Sequence, residues 1–174
     1  FVDPKRQAEF STAAIGRSIW LAASCHPEDE DLALQAQRLL LAKGANPLLI
    51  LAPRHPSRTD DILKKLDGLS VKVLSRGELP AAETQIYLAD SFAEMGLWYA
   101  VSEQALIGGT FSAVEGHNPW EALQLGCGVM HGPRVENFVT DFDLLRKAKA
   151  CFAVHNAEDI VAHITSPPTR GLES

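Results

Sequence analysis

The chain has 174 residues, 46% of them hydrophobic and 22% charged, with a formal net charge of −6. That composition excludes a disordered chain and suits one domain with a full core. The acidic balance excludes a general nucleic-acid binder, whose phosphate-tracking surface is basic, so an anionic ligand must be held by a few local groups.

Residues 1–17 are polar and alanine-rich without a clear period, and are expected to be an interdomain linker with some helix. The first residue is Phe1 rather than Met, so the chain is expected to be a piece of a longer protein, with part of its active site elsewhere. The continuous apolar run at 19–23 predicts a strand buried on both faces. Residues 24–27 form a turn, Pro27 suits a first helical position, and Glu28, Asp29, Glu30 and Asp31 complement the helix dipole. Leu32, Ala36, Leu39 and Leu40 predict the buried stripe of that helix, which Gly44 ends.

The same unit then recurs. Further strands are expected at 48–51, 71–74, 85–89, 105–107, 128–130 and 151–154. Helices are expected at 60–66, 92–101, after Gly116, at 135–147 and at 157–164, where Pro167-Pro168 ends the last. This alternation predicts an α/β, Rossmann-like doubly wound parallel sheet over residues 18–166, followed by a tail at 167–174. Ligands of such sheets bind beyond the carboxyl ends of the strands, so the exit loops carry the function. Cys25, Cys127 and Cys151 form no CxxC pair and read as buried free thiols. No apolar run reaches the roughly 20 residues of a membrane span. No GxGxxG follows the first strand, so a dinucleotide reading lacks its main support.

Gly116-His117-Asn118-Pro119-Trp120-Glu121 carries the strongest pattern. Asn118 suits a helix N-cap, Pro119 the first helical position and Glu121 the third. Two roles fit Glu121: it bonds back to its own helix start as in a capping box, or it accepts ribose hydroxyls while the helix start faces a phosphate. Gly108, Gly109 and Gly116 allow a ligand close to the backbone. Arg54, His55 and Arg58 form the densest cationic group at a strand exit. Arg54 suits phosphate or carboxylate recognition, and equally a solvated loop. His26 reads as a helix cap, and His117 and His131 as packed loop residues; none has metal-ligand spacing. Ser91 and Glu94 have capping-box spacing, while Met95-Gly96 offers an apolar edge and a close backbone to a base.

In order, Ala22-Ala23-Ser24-Cys25-His26-Pro27-Glu28-Asp29-Glu30, Ala52-Pro53-Arg54-His55-Pro56-Ser57-Arg58, Asp90-Ser91 through Met95-Gly96-Leu97-Trp98-Tyr99, and Gly108-Gly109 through Gly116-His117-Asn118-Pro119-Trp120-Glu121 resemble the C-terminal half of 3-deoxy-D-manno-octulosonic acid (Kdo) transferases. Gly132-Pro133 and Asn137-Phe138 fit the same pattern, and the likeness runs from about residue 18 to about residue 164. The resemblance implies the C-terminal half of a GT-B glycosyltransferase, in which this half binds the donor CMP-Kdo. A preceding N-terminal domain would bind the lipid A precursor and supply the catalytic base, so the chain alone is expected to be inactive. It implies donor contacts from Arg54, His55, Ser91, Met95, Gly96, Gly108, Gly109, Gly116, His117, Asn118 and Glu121, with no cofactor and no metal. Among them Glu121 would hold the ribose, Asn118 and its helix start the phosphate, Arg54 the donor's negative charge, and Met95-Gly96 the cytosine. The whole enzyme would work at the cytoplasmic face of the bacterial inner membrane. The family pattern has glycine where this chain has Glu115, threonine where it has Cys25, and Asp-Thr-x-Gly-Glu-Leu-Gly where it has Asp90-Ser91-Phe92-Ala93-Glu94-Met95-Gly96. The alternatives are another GT-B enzyme, such as a nucleotide-sugar epimerase or a UDP-sugar transferase, and a non-catalytic Rossmann interaction module.

Overall fold

The computed structural model describes residues 1–166, so the expected Pro167-Pro168 stop and the 167–174 tail lie outside the described residues. Seven strands form one sheet: β1 (Ile19–Cys25), β2 (Leu48–Pro53), β3 (Val71–Val73), β4 (Ile86–Leu88), β5 (Gln104–Ile107), β6 (Gly128–His131) and β7 (Cys151–Ala153). Their order is β3-β4-β2-β1-β5-β6-β7 and every pair is parallel. The helices are α1 (Pro4–Ala13), α2 (Pro27–Ala42), α3 (Thr59–Lys65), α4 (Met95–Val101), α5 (Trp120–Gln124), α6 (Val139–Lys147) and α7 (Ala157–Thr165). The expected α/β, doubly wound sheet is the one observed.

Side chains alternate across each strand, and two apolar cores follow. Leu21, Ile50, Tyr87, Ile107 and Val129 meet Phe10 of α1, Trp98 of α4, Ala122 of α5 and Phe142 of α6 on one face. Trp20, Leu49, Leu51, Leu88, Leu106 and Met130 meet α2, α3 and α7 on the other. Cys25, Cys127 and Cys151 are buried and form no disulfide among the described residues, and they pack as small apolar residues of these cores. No helix among the described residues is long and apolar enough to cross a membrane.

The structure revises several expectations. Residues 4–13 of the expected linker form α1, capped by Asp3, whose side chain accepts from the Lys5 amide at 2.9 Å. Phe10 is 2% exposed and meets Tyr87 and Trp98 edge-to-face at 5.0 and 5.3 Å. In α2 the buried stripe is Ala33, Leu34, Ala36, Gln37 and Leu40, so Leu32 and Leu39 sit at its margin. Gln37 turns the helix: it accepts from Trp20 Nε1 at 3.0 Å and donates to the Pro47 and Gln85 carbonyls at 2.8 and 2.9 Å. A buried amide whose partners are all present anchors the starts of three strand segments.

The helix expected at 92–101 begins only at Met95, and Ser91 does not cap it. Glu94 is instead ion-paired with Arg6 of α1, which removes it from any capping box.

If α1 belongs to the domain, Phe10→Ala will remove about 3 kcal/mol from urea stability, the ordinary cost of emptying a buried aromatic site. Unchanged stability would return residues 1–17 to the status of a linker.

Candidate functional site

The strand order reverses at β1, whose neighbours are β2 on one side and β5 on the other. The loops leaving β1 and β5 therefore run to opposite faces and leave a crevice between them. Two contacts set its floor. Gly108 N–H donates to the Ala23 carbonyl at 2.7 Å. A Cβ on Gly108 would stand 2.2 Å from the Ser24 carbonyl oxygen, so only glycine allows the approach. The second contact is Asp29, at the start of α2 and wholly buried. Its Oδ2 accepts from His26 N–H at 2.9 Å and Gly109 N–H at 2.8 Å, tying the two loops together. Oδ1 has no partner. Burial pushes this carboxyl up to about 6, against the pull of the Gly109 and His26 amides, with Glu28 and Glu30 raising it further.

The glycines thus serve the loops first. The amides of Gly108, Gly109 and Gly116 are bonded to Ala23, Asp29 and Gly109 respectively. Close packing of protein on protein, rather than room for a ligand, explains Gly108.

Three histidines gather over this floor. His26 Nε2 and His117 Nε2 are 3.1 Å apart, and His55 meets the His26 ring edge-on at 5.9 Å. His26 is more than the helix cap its position suggested. Burial lowers the pKa of His26, as does His55; burial also lowers that of His117, with His26 and Arg54 adding to it. Arg54 forms no ion pair among the described residues. Arg58, its neighbour in the sequence pattern, is committed elsewhere: with Lys65 it neutralises Glu30, a carboxylate with no exposed surface.

The other predicted residues lie along the same rim. Asn118 Oδ1 accepts from Trp120 N–H at 2.9 Å, but α5 starts at Trp120, so Pro119 and not the expected Asn118 is its N-cap residue. The Glu121 carboxylate returns no bond to Asn118 and is exposed, which removes the capping-box role. It points instead at the α4 start: a Cβ on Gly96 would be 3.6 Å from Glu121 Oε1. Met95, Gly96 and Glu121 are thus brought together. Ser91 is not; it leaves β4 beside Asp90, which is fixed by Ser75 and Thr59, and its Oγ has no hydrogen-bond partner. With 5 residues, α5 also carries only a small dipole at its start.

Sequence reasoning missed Asp29 as a loop tie. The signal available was its place two residues after the turn proline, opposite a Gly-Gly pair. It also missed the state of His131, which is wholly buried, with Nδ1 2.7 Å from the Gly132 carbonyl and Nε2 without a partner. Burial lowers its pKa despite that bond. Among the described residues no group of three or more His, Cys, Asp or Glu is placed to hold a metal ion.

Two stability predictions follow from these groups. Asp29→Ala leaves two buried amides unpaired and should cost about 2–4 kcal/mol, while Asp29→Asn, which retains an acceptor, costs less; equal losses on urea denaturation would reject the tie. On pH, His26, His117 and His131 hold protons less readily folded than unfolded, so their contribution is complete above about 6.5 and is lost as pH falls through that value. Asp29 acts oppositely: raised from 3.8 to about 6, it destabilises the fold as pH rises through that window. Urea midpoints should therefore fall from neutral pH to about pH 5, more steeply in Asp29→Asn and less steeply in His131→Gln.

No family model matches the chain. Over 161 residues it is 38% identical to a 3-deoxy-D-manno-octulosonic acid transferase of Haemophilus influenzae, an alignment covering 91% of this chain and 38% of that protein. Against the same-named protein of Rickettsia felis it is 31% identical over 176 residues, covering 99% of this chain and again 38% of the relative. Its fold is similar to the crystal structure of the C-terminal CMP-Kdo binding domain of WaaA from Acinetobacter baumannii, with a TM-score of 0.86 and 31% identity over 92% of this chain and 86% of that one. The chain spans about 38% of the length of these curated relatives and most of the solved domain. With that identity across the solved domain, the chain belongs to the 3-deoxy-D-manno-octulosonic acid transferase family and corresponds to its C-terminal domain.

Proposed function

We propose that this chain is the donor-binding domain of a GT-B glycosyltransferase that transfers Kdo from CMP-Kdo to a lipid A precursor. The observation that carries the reading is the unpaired Arg54 beside His26, His55 and His117 at the switch point of the sheet. In an acidic chain, this is a local positive site with no internal counter-ion, the requirement for holding a phosphate and a sugar carboxylate. The exposed Glu121, next to Gly96, supplies acceptors for two ribose hydroxyls, and Met95 an apolar edge for the base.

Bond cleavage leaves negative charge on the departing CMP phosphate, and a guanidinium beside it stabilises that charge. The acceptor hydroxyl needs a base. Among the described carboxylates at the crevice, Asp29 is buried under the loops, Glu30 is neutralised by Arg58 and Lys65, and Glu121 is assigned to the ribose. The base and the acceptor site belong to the part of the enzyme outside this chain, which would also carry its contact with the cytoplasmic face of the membrane.

Calorimetry should show CMP binding in preference to UDP and GDP, with no Kdo transfer by this chain alone. Arg54→Ala should weaken CMP about tenfold or more, and Glu121→Ala several-fold, both without loss of stability. Preference for UDP or GDP would select another GT-B enzyme, and no nucleotide binding would leave a non-catalytic module.

A further inference from the structure

His26 and His117 have a geometry that fixes how many protons they share. Their Nε2 atoms are 3.1 Å apart, their ring planes differ by 9°, and their centroids are 5.3 Å apart. A short N···N gap with so long a centroid separation sets the rings edge to edge in nearly one plane. That is an in-line N–H···N bond, not a face-to-face stack. One Nε2 must carry a hydrogen and the other must be bare. A single added proton fits, because it enters at a ring Nδ1 and makes the shared bond charge-assisted. A second would force two N–H groups head to head. The pair therefore has a capacity of one.

The surroundings decide whether that proton is present. From its own segment His26 faces Glu28, Asp29 and Glu30; from the β2 exit both rings face Arg54 and His55. Asp29 is held by the His26 and Gly109 amides, and Glu30 by Arg58 and Lys65. That leaves Glu28, exposed at the start of α2, against one guanidinium and a third imidazole. Burial shifts both histidines toward the neutral form, and the neighbouring imidazoles and Arg54 add to it.

We propose that His26 and His117 act together as an anion clamp that is neutral when the crevice is empty and takes up one shared proton when a nucleotide phosphate enters. This rests on the preceding reading that the crevice holds the phosphate of a cytidine nucleotide. The ligand supplies the missing counter-charge, and the imidazolium adds a second cation to Arg54. A clamp of this kind tightens on a dianionic phosphate more than on a monoanionic phosphodiester, because the extra negative charge is matched by the proton.

The test is titration of this chain with CMP at about pH 7.5, where a phosphate monoester with a second pKa near 6 is almost wholly dianionic. Repeating it in buffers of different ionisation enthalpy gives the protons exchanged per CMP bound. The expected result is net uptake of about half to one proton in this chain, no more than one in His26→Gln or His117→Gln, and near zero in the double variant, which binds CMP more weakly through Arg54. Binding of CMP without proton uptake overturns the clamp and leaves the site reading intact. Uptake that persists in the double variant places the proton outside the pair and also overturns it. Absence of CMP binding removes the site reading and the clamp together.

Discussion

The site depends on one buried carboxylate. Asp29 stands at the start of α2, yet its hydrogen bonds reach both the β1 exit at His26 and the β5 exit at Gly109. Those loops diverge at the switch point, and without a tie the crevice between them has no fixed width. The tie is costly, because one oxygen accepts twice while the other has no partner, and burial moves the carboxyl toward neutrality. Such a cost is tolerated where it positions groups for function. Here it places His26 over the floor that Gly108 makes possible, and His117 follows from the second loop.

Charge accounting around the crevice explains why so few groups can act there. Arg58 and Lys65 are bound to Glu30, Arg6 to Glu94, and Arg134 to Glu115. Arg54 is left over beside His26 and His117, whose pKa values burial lowers. In a chain of net charge −6, the crevice thereby has a local cationic group at the β2 exit. In an acidic chain the local field at the crevice is set by which cations are left unpaired, not by how many exist.

The strands were legible in the sequence because each is buried on both faces and reads as an unbroken apolar run, such as Leu48-Leu49-Ile50-Leu51. The exit loops followed from the alternation, and with them Arg54, His55, His117 and Glu121. Three things were not legible. Asp29 looked like any first-turn acid, because its partner Gly109 is 80 residues away and only the sheet order brings it near. Gln37 broke the apolar stripe of α2 for a reason held in the Pro47 and Gln85 carbonyls. The helix within residues 1–17 was not placed because ten residues with a single buried side chain, Phe10, have almost no periodicity to show. Local pattern reports burial well, but it does not report which distant backbone a polar side chain will meet.

Glu115 shows how a departure in sequence is absorbed. The family pattern resembled here has glycine at this position, and the backbone still takes the glycine conformation, with φ at 65°. For a residue with a Cβ that geometry costs on the order of 1 kcal/mol. The loop is held to it from outside: Asn137 donates its amide to the Glu115 carbonyl at 3.3 Å and its side chain to the Val114 carbonyl at 2.7 Å. Arg134 lies 3.4 Å from the Glu115 carboxylate, so the added negative charge is offset on the spot. Both braces come from the β6 exit, and both leave Gly116 and His117 where the crevice needs them. Glu115 thus adds local strain and charge, and the braces from Asn137 and Arg134 offset both.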